Sequence, residues 1–127
     1  MPKLRVLVVD DDNIMRELLK AILREEGYRV AGEAKDGESA LTACDDLSPE
    51  VVCLDVNMPG MSGIETLRIL RGKHPQVRII MITGDASLNT VREAVSLGAA
   101  GFIIKPFSQG RVADALRAAL KPSAPYP

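Results

Sequence analysis

The feature that most constrains the fold is a regular alternation of short apolar runs with segments of helical periodicity. Four apolar runs lie at 6–9, 51–54, 79–82 and 102–104, and a weaker, mixed run lies at 29–34. Runs of this length without alternating polar residues are typical of strands that are covered on both faces. The sequence therefore predicts five strands in a buried, mostly parallel sheet.

The segments between these runs carry signs of amphipathic helices. Apolar residues recur at helical spacing between Ile14 and Leu23, and Gly27 follows as an expected helix C-terminus. Ser62 and Glu65 have the spacing of a capping box, which opens a helix. The expected helices run over about 14–23, 62–73, 87–98 and 108–120.

Successive β-α units favour a doubly wound α/β fold, because right-handed crossovers place each helix over a parallel sheet. The mixed strand at 29–34 is the least apolar and is therefore expected at an edge. With 127 residues and 46% hydrophobic residues, the chain can bury one core. We expect a single domain over 1–121. The proline-rich residues 122–127 are expected to form a disordered tail or the start of a linker.

Composition argues against several classes of function. The formal net charge is -1, so the chain has no general basic field and direct binding to nucleic acid is not expected. The apolar part of the N-terminal segment is too short for a signal peptide or a membrane span, which predicts no membrane insertion and a cytoplasmic location. Cys44 and Cys53 lack metal-ligand spacing and are expected to be reduced structural thiols.

Every strong strand ends in a polar side chain. Asp10 and Asp11 follow the predicted strand at 6–9, and Asp55 follows the strand at 51–54. Thr83 follows the strand at 79–82, and Lys105 follows the strand at 102–104. Ligands of open α/β sheets bind outside the carboxyl ends of the strands. If the first and third strands are neighbours, the carboxylates converge, and two charges 4 Å apart repel by about 4 kcal/mol at an effective dielectric of 20. A hard divalent cation such as Mg²⁺ would offset this repulsion.

Taken singly, these residues have simpler explanations. Asp12, before Asn13, is better interpreted as a helix cap and is left out of the expected site. A lone lysine after a strand is usually solvated, and a lone threonine in a strand usually packs in the core. It is the combination at successive strand ends that indicates a functional site.

Four motifs, each at the right place in the β-α order, carry a resemblance to a known family. They are VLVVDDDNIMR, CLDVNMPGMSGIE, IIMITGDA and GAAGFIIKPF. From about Leu4 to Leu120 the chain resembles the receiver domain of two-component response regulators, and it closely resembles the single-domain chemotaxis regulator. The resemblance implies a flavodoxin-like fold with strand order 2-1-3-4-5. It also implies a phosphorylation-controlled signalling switch rather than an enzyme, although such a domain assists its own phosphorylation and dephosphorylation.

The resemblance further implies a role for each site residue. Asp55 would accept a phosphoryl group from a sensor histidine kinase or a phosphotransfer protein. Mg²⁺, for which Mn²⁺ can substitute, would be held by Asp10, Asp11, Asp55 and the backbone carbonyl of Asn57. The contacts to the phosphoryl oxygens would come from Thr83 and Lys105.

Three structural expectations follow from the same resemblance. The Lys105–Pro106 peptide bond would be cis. Thr83 and Phe102 would form the switch, and we expect the Phe102 ring to lie inward even before phosphorylation, because it has no hydroxyl to desolvate. The downstream protein target would bind the face of helix 4, strand 5 and helix 5. Candidates on that face are Leu88, Val91, Arg92, Val95, Phe102 and Arg111, of which Val91 and Val95 could equally fill the core.

Two other classes of function remain as alternatives. A phosphatase of the haloacid dehalogenase type also forms an aspartyl phosphate, but it carries a proton-donating acid two residues after the nucleophile, where this chain has Asn57. A flavodoxin-like flavin binder would need a glycine- or serine-rich phosphate loop after the first strand. The segment DDDN found there would repel a phosphate.

Overall fold

Strands and helices alternate along the whole described chain. The structure is a computed structural model that describes residues 3–84 and 87–121. The strands are β1 (Arg5–Val9), β2 (Arg29–Ala34), β3 (Val51–Asp55), β4 (Arg78–Thr83) and β5 (Gly101–Ile104). The helices are α1 (Asn13–Glu25), α2 (Gly37–Leu47), α3 (Gly63–Lys73), α4 (Leu88–Ser96) and α5 (Gln109–Leu120).

The five strands form one parallel sheet in the order β2-β1-β3-β4-β5. This confirms the predicted doubly wound α/β class, the strand order and the position of the mixed strand β2 at an edge. Each predicted strand lies within one residue of its observed bounds. The predicted tail at 122–127 lies outside the described residues, and no described helix is both long enough and apolar enough to cross a membrane.

The sheet separates two apolar layers. Successive residues of a strand point to opposite faces, and all of β3 is buried. Val52 and Leu54 join the layer formed with α2, α3 and α4, whereas Val51 and Cys53 join the layer formed with α1 and α5. Because β3 is covered on both sides, its last residue, Asp55, is fixed at the carboxyl end of the central strand.

Side-chain caps define where the helices begin. Asp12 accepts hydrogen bonds from the backbone of α1, which confirms its interpretation as a cap. Ser62 caps α3 by accepting a hydrogen bond from the amide of Glu65, which confirms the Ser62 half of the predicted capping box, and Ser108 caps α5. Helix α2 was not located from the sequence, because the side chains that it buries beyond Gly37 are only Ala40 and Cys44, too small to give a strong periodic signal.

Both cysteines are free and buried. Burial raises the pKa of the Cys44 thiol to about 11 and that of the Cys53 thiol to about 12. Such thiols are almost entirely protonated near neutral pH and do not act as nucleophiles. The structure therefore agrees with a structural role for both.

Candidate functional site

Three carboxylates meet at the carboxyl ends of β1 and β3. These strands are neighbours, and the pairing of Val9 with Leu54 brings the residues that follow them together. One oxygen from each of Asp10, Asp11 and Asp55 lies within 4.8 Å of the others. Asp10 and Asp55 are buried, at 5% and 3% exposure, whereas Asp11 is exposed. The sheet topology thus produces the predicted acidic cluster.

The start of α3 approaches the end of β3 very closely. The amide of Gly63 donates a hydrogen bond of 2.8 Å to the carbonyl of Val56. A Cβ atom on Gly63 would lie 2.1 Å from the carbonyl oxygen of Asp55, so only glycine fits here. The loop between them also contacts the site, since the Asn57 amide donates to Oδ1 of Asp55 at 3.4 Å. A larger residue at position 63 would therefore displace the backbone of Asp55 and Val56 that carries the carboxylate.

Lys105 places a positive charge between the two buried carboxylates. Its Nζ lies 3.0 Å from Oδ2 of Asp10 and 3.5 Å from Oδ2 of Asp55. Burial alone would lower the pKa of Lys105, but the hydrogen bond from its ammonium to Asp10 and the charge of Asp55 outweigh burial and raise it. The Lys105 amide donates to the carbonyl of Thr83 on β4, and the Lys105–Pro106 peptide bond is cis. Lys105 therefore stays charged, and its ammonium links the carboxylate of Asp10, which follows β1, to that of Asp55, which ends β3.

Even with Lys105 nearby, the pKa of Asp55 lies above its usual range. Burial and, after it, the charge of Asp10 raise the pKa of Asp55 to about 6. A carboxylate that is destabilised in this way favours an added cation. Three oxygen donors close together and partly open to water suit a hard divalent ion that keeps part of its hydration shell, such as Mg²⁺. The residues present therefore fit the metal that the sequence predicts.

The two expected switch residues lie on the strands beyond β3. Thr83 is fully buried and ends β4, one residue past Ile82, which pairs with Asp55. Phe102 pairs with Met81 and is half-buried against the layer of α2, α3 and α4. On its other side the ring borders a groove of about 390 Å³ between β5 and α5. The groove is lined by Phe102, Ile103, Ile104, Arg111, Asp114 and Ala115.

The sequence matches the response regulator receiver domain over residues 6–117. The chain belongs to this family. Over 112 residues it is 41% identical to the chemotaxis protein CheY of Thermotoga maritima and 43% identical to protein CcdB of Bacillus subtilis. Each alignment covers 88% of this chain and 93% of the relative. The receiver family is one of signalling switches in two-component systems, and membership decides against the phosphatase and flavin-binding alternatives.

A solved structure of the same family superimposes closely on this receiver domain. The CheX–CheY complex of Borrelia burgdorferi matches with a TM-score of 0.91 at 29% identity. The match covers 94% of this chain and 90% of the other. A likeness over that share of both chains shows that the two proteins have the same overall fold.

The expected target face of this receiver domain is partly apolar and open. Leu88 and Val95 on α4 are 60% and 59% exposed, so Val95 does not fill the core. Val91 is half-buried, and Arg92 and Arg111 are exposed. Two large apolar side chains on one exposed helix face are compatible with a protein contact there.

Arg16 is a residue of the receiver site that sequence reasoning missed. Its Nη1 donates a hydrogen bond of 2.6 Å to the backbone carbonyl of Asp10, and its Nε pairs with Glu33 on β2 at 2.9 Å. Arginine on the first turns of an amphipathic helix is usually solvated, so residue spacing alone did not indicate that Arg16 contacts the backbone of Asp10. The nearest available signal was its position at the end of the first family motif.

Proposed function

We propose that the protein is a phosphorylation-controlled signalling switch that accepts a phosphoryl group on Asp55. The donor would be the phosphohistidine of a sensor histidine kinase or of a phosphotransfer protein. The proposal rests above all on one observation, the convergence of Asp10, Asp11 and Asp55 at one sheet edge with the Lys105 ammonium against two of them. That arrangement combines a buried carboxylate nucleophile, oxygen ligands for a cation and a fixed positive charge.

The chemistry requires little beyond placement and charge. A carboxylate oxygen of Asp55 attacks phosphorus in line with the departing imidazole nitrogen, a P–O bond forms, the P–N bond breaks, and the imidazole takes up a proton from water. The strand holds the nucleophile in position, and no general base is needed because the attacking carboxylate carries no proton. Asp10, Asp11, Asp55 and the Asn57 carbonyl would hold Mg²⁺, which would supply charge neutralisation for the phosphoryl oxygens. Lys105 supplies a second positive charge at the same oxygens.

The solved relative from Borrelia burgdorferi supports this choice of cation. Its structure is of a CheX–CheY complex with BeF₃ and Mg²⁺. The carboxylate set of the present chain is suited to the same cation, since it offers only oxygen donors and carries excess negative charge. Mn²⁺ prefers similar ligands and would substitute.

The signal would leave the site through the neighbouring strands. Thr83 ends β4 beside the site, and Phe102 on β5 lies between the core and the open groove. Movement of Thr83 toward the phosphoryl oxygens would make room behind it for the Phe102 ring. The face of α4, β5 and α5 would then present a changed surface to a downstream protein. We further propose that the switch works in the cytoplasm and that residues 1–121 suffice for it.

Divalent-dependent labelling tests the proposal. Wild-type protein is incubated with acetyl phosphate in Mg²⁺, in Mn²⁺ or in excess chelator, and its intact mass is measured. We expect one phosphoryl adduct with either metal and none in chelator. The Asp55→Asn variant should remain unlabelled in all three buffers. Labelling of wild type that is unchanged by chelator would contradict the proposal.

A further inference from the structure

Asp11 differs from the other two carboxylates in how it is held. Its side chain is exposed, and within 3–84 and 87–121 it makes no hydrogen bond or ion pair. The Asp10 carboxylate, by contrast, accepts from the Asp12 amide at 2.9 Å and from Lys105 at 3.0 Å. The position of the Asp11 carboxylate therefore depends on the backbone that carries it.

Arg16 holds that backbone on both sides of Asp11. Its Nη1 donates to the carbonyl of Asp10, at 2.6 Å, and its own backbone amide donates to the carbonyl of Asp12, at 3.0 Å. The Asp10 amide is also fixed, since it donates to the carbonyl of Ala34 on β2 at 3.1 Å. Asp10 is thus tied to the sheet through its amide, and the peptide that joins it to Asp11 is tied to Arg16 through the Asp10 carbonyl.

The guanidinium of Arg16 is itself held by several partners. Its Nε pairs with Glu33 at 2.9 Å, its Nη2 donates to Oδ1 of Asn13, and its side chain is only 11% exposed. Glu33 is in turn paired with Lys20, whose side chain is 10% exposed. A planar guanidinium offers donors in fixed directions and can satisfy three acceptors at once. A lysine ammonium on a flexible stem cannot reproduce this geometry.

We infer that Arg16 is a positioning residue, which fixes the Asp10–Asp11 peptide and thereby directs the Asp11 carboxylate toward the cation site. The inference rests on the proposed divalent cation site and extends it to a residue that does not touch the cation. Groups that orient metal ligands commonly contribute tenfold or more to affinity.

The charge of Arg16 and its positioning role have opposite expected effects on cation affinity, so an experiment can separate them. Arg16 carries a positive charge close to the acidic cluster, so simple charge repulsion would weaken cation binding. Removing that charge would then tighten binding. If Arg16 positions Asp11, removing it weakens binding in spite of the favourable change in charge.

The test is a Mg²⁺ titration of the folded protein by calorimetry, with urea unfolding in chelator measured alongside. Arg16→Lys keeps the charge and loses the planar fork, and Arg16→Met loses both. Asn13→Ala removes one acceptor of the guanidinium without changing any charge. Lys35→Met is the matched control, because Lys35 lines a surface pocket together with Arg16 and Glu33 and makes no hydrogen bond or ion pair with the described residues.

We expect Arg16→Lys and Arg16→Met to weaken Mg²⁺ binding about tenfold, Asn13→Ala to weaken it by a smaller factor, and Lys35→Met to leave it unchanged or slightly tighter. A purely structural role would lower the free energy of unfolding but leave the dissociation constant unchanged. The inference would be overturned if Arg16→Lys and Asn13→Ala both bound Mg²⁺ as tightly as wild type, or if Arg16→Met bound it more tightly. In either case the proposed function would stand, provided that the wild-type protein binds Mg²⁺. If the Arg16 variants do not fold, Asn13→Ala decides. Failure of wild type to bind Mg²⁺ would overturn both.

Discussion

The ionisation of Asp55 links the chemistry of the site to the stability of the fold. Its pKa is raised to about 6 by burial and by the charge of Asp10, whereas a carboxyl group in the unfolded chain ionises near pH 4. Between these values the folded state binds more protons than the unfolded state. The contribution of Asp55 to stability therefore falls as the pH rises from about 4 to about 6 and stays low above that.

Asp55→Asn should remove this loss of stability. In chelator, the variant should be more stable than wild type above about pH 6.5, by up to about 3 kcal/mol, and the difference should shrink toward pH 4. Urea unfolding of both proteins across this pH range measures the difference and cancels the contributions of other carboxylates. A difference that is constant with pH would show that Asp55 is not destabilised in the fold.

Lys105 should separate cation binding from phosphoryl recognition. Its ammonium lies against Asp10 and Asp55, so Lys105→Met removes a charge that opposes Mg²⁺ but that would bind the phosphoryl oxygens. We expect Mg²⁺ affinity to be unchanged or higher, and binding of beryllofluoride in the presence of Mg²⁺ to fall by about tenfold or more, since charge-assisted hydrogen bonds contribute at least about 1.5 kcal/mol.

The matched control for this experiment is Lys121→Met, at the C-terminal end of α5, which should leave both affinities unchanged. NMR amide shifts follow both titrations. Loss of Mg²⁺ binding in Lys105→Met with normal beryllofluoride binding would contradict the assigned role.

Among the elements, the junction of β3 and α3 leaves little room for a larger side chain. Gly63→Ala would place a Cβ atom 2.1 Å from the carbonyl oxygen of Asp55 and 2.6 Å from Cα of Val56. Both contacts are with backbone, so relief requires movement of the strand end or the helix. We expect a loss of about 1–3 kcal/mol of stability or more, together with slower labelling of Asp55, because the nucleophile is displaced.

Gly72→Ala in the same helix is the matched control. A Cβ atom at Gly72 meets nothing within 4 Å, so the substitution should stabilise the protein by up to about 1 kcal/mol through helix propensity. Denaturant unfolding and a phosphorylation time course compare the two variants. Equal effects at the two positions would show that the close approach at Gly63 is unimportant.

The elements that could be predicted from sequence are those with a strong local signal. The apolar runs predicted the strands, and the capping-box spacing at Ser62 predicted one helix start. Helix α2 buries only small side chains, so the sequence carried no strong periodic signal for it. The strand order depended on the family resemblance, because hydrophobic periodicity carries no information about which strands pair.

For the whole molecule, the acidic cluster was predictable and the support behind it was not. Parallel topology brings the carboxyl ends of neighbouring strands together, so Asp10 and Asp55 had to meet once β1 and β3 were neighbours. The contact from Arg16 to Asp10 depends instead on the path of one side chain and on its pairing with Glu33 in another element. Such contacts are set by tertiary packing, which a single sequence does not display.

The most direct test of phosphoacceptor function is to locate the phosphoryl group on the chain. Protein phosphorylated with acetyl phosphate and Mg²⁺ is treated with borohydride, which reduces an acyl phosphate to the alcohol, and the peptides are sequenced by tandem mass spectrometry. We predict that the reduced side chain is found at Asp55 alone and is absent without Mg²⁺. Reduction at Asp10, Asp11 or Asp12 instead, or phosphate on a hydroxyl side chain, would contradict the proposed switch.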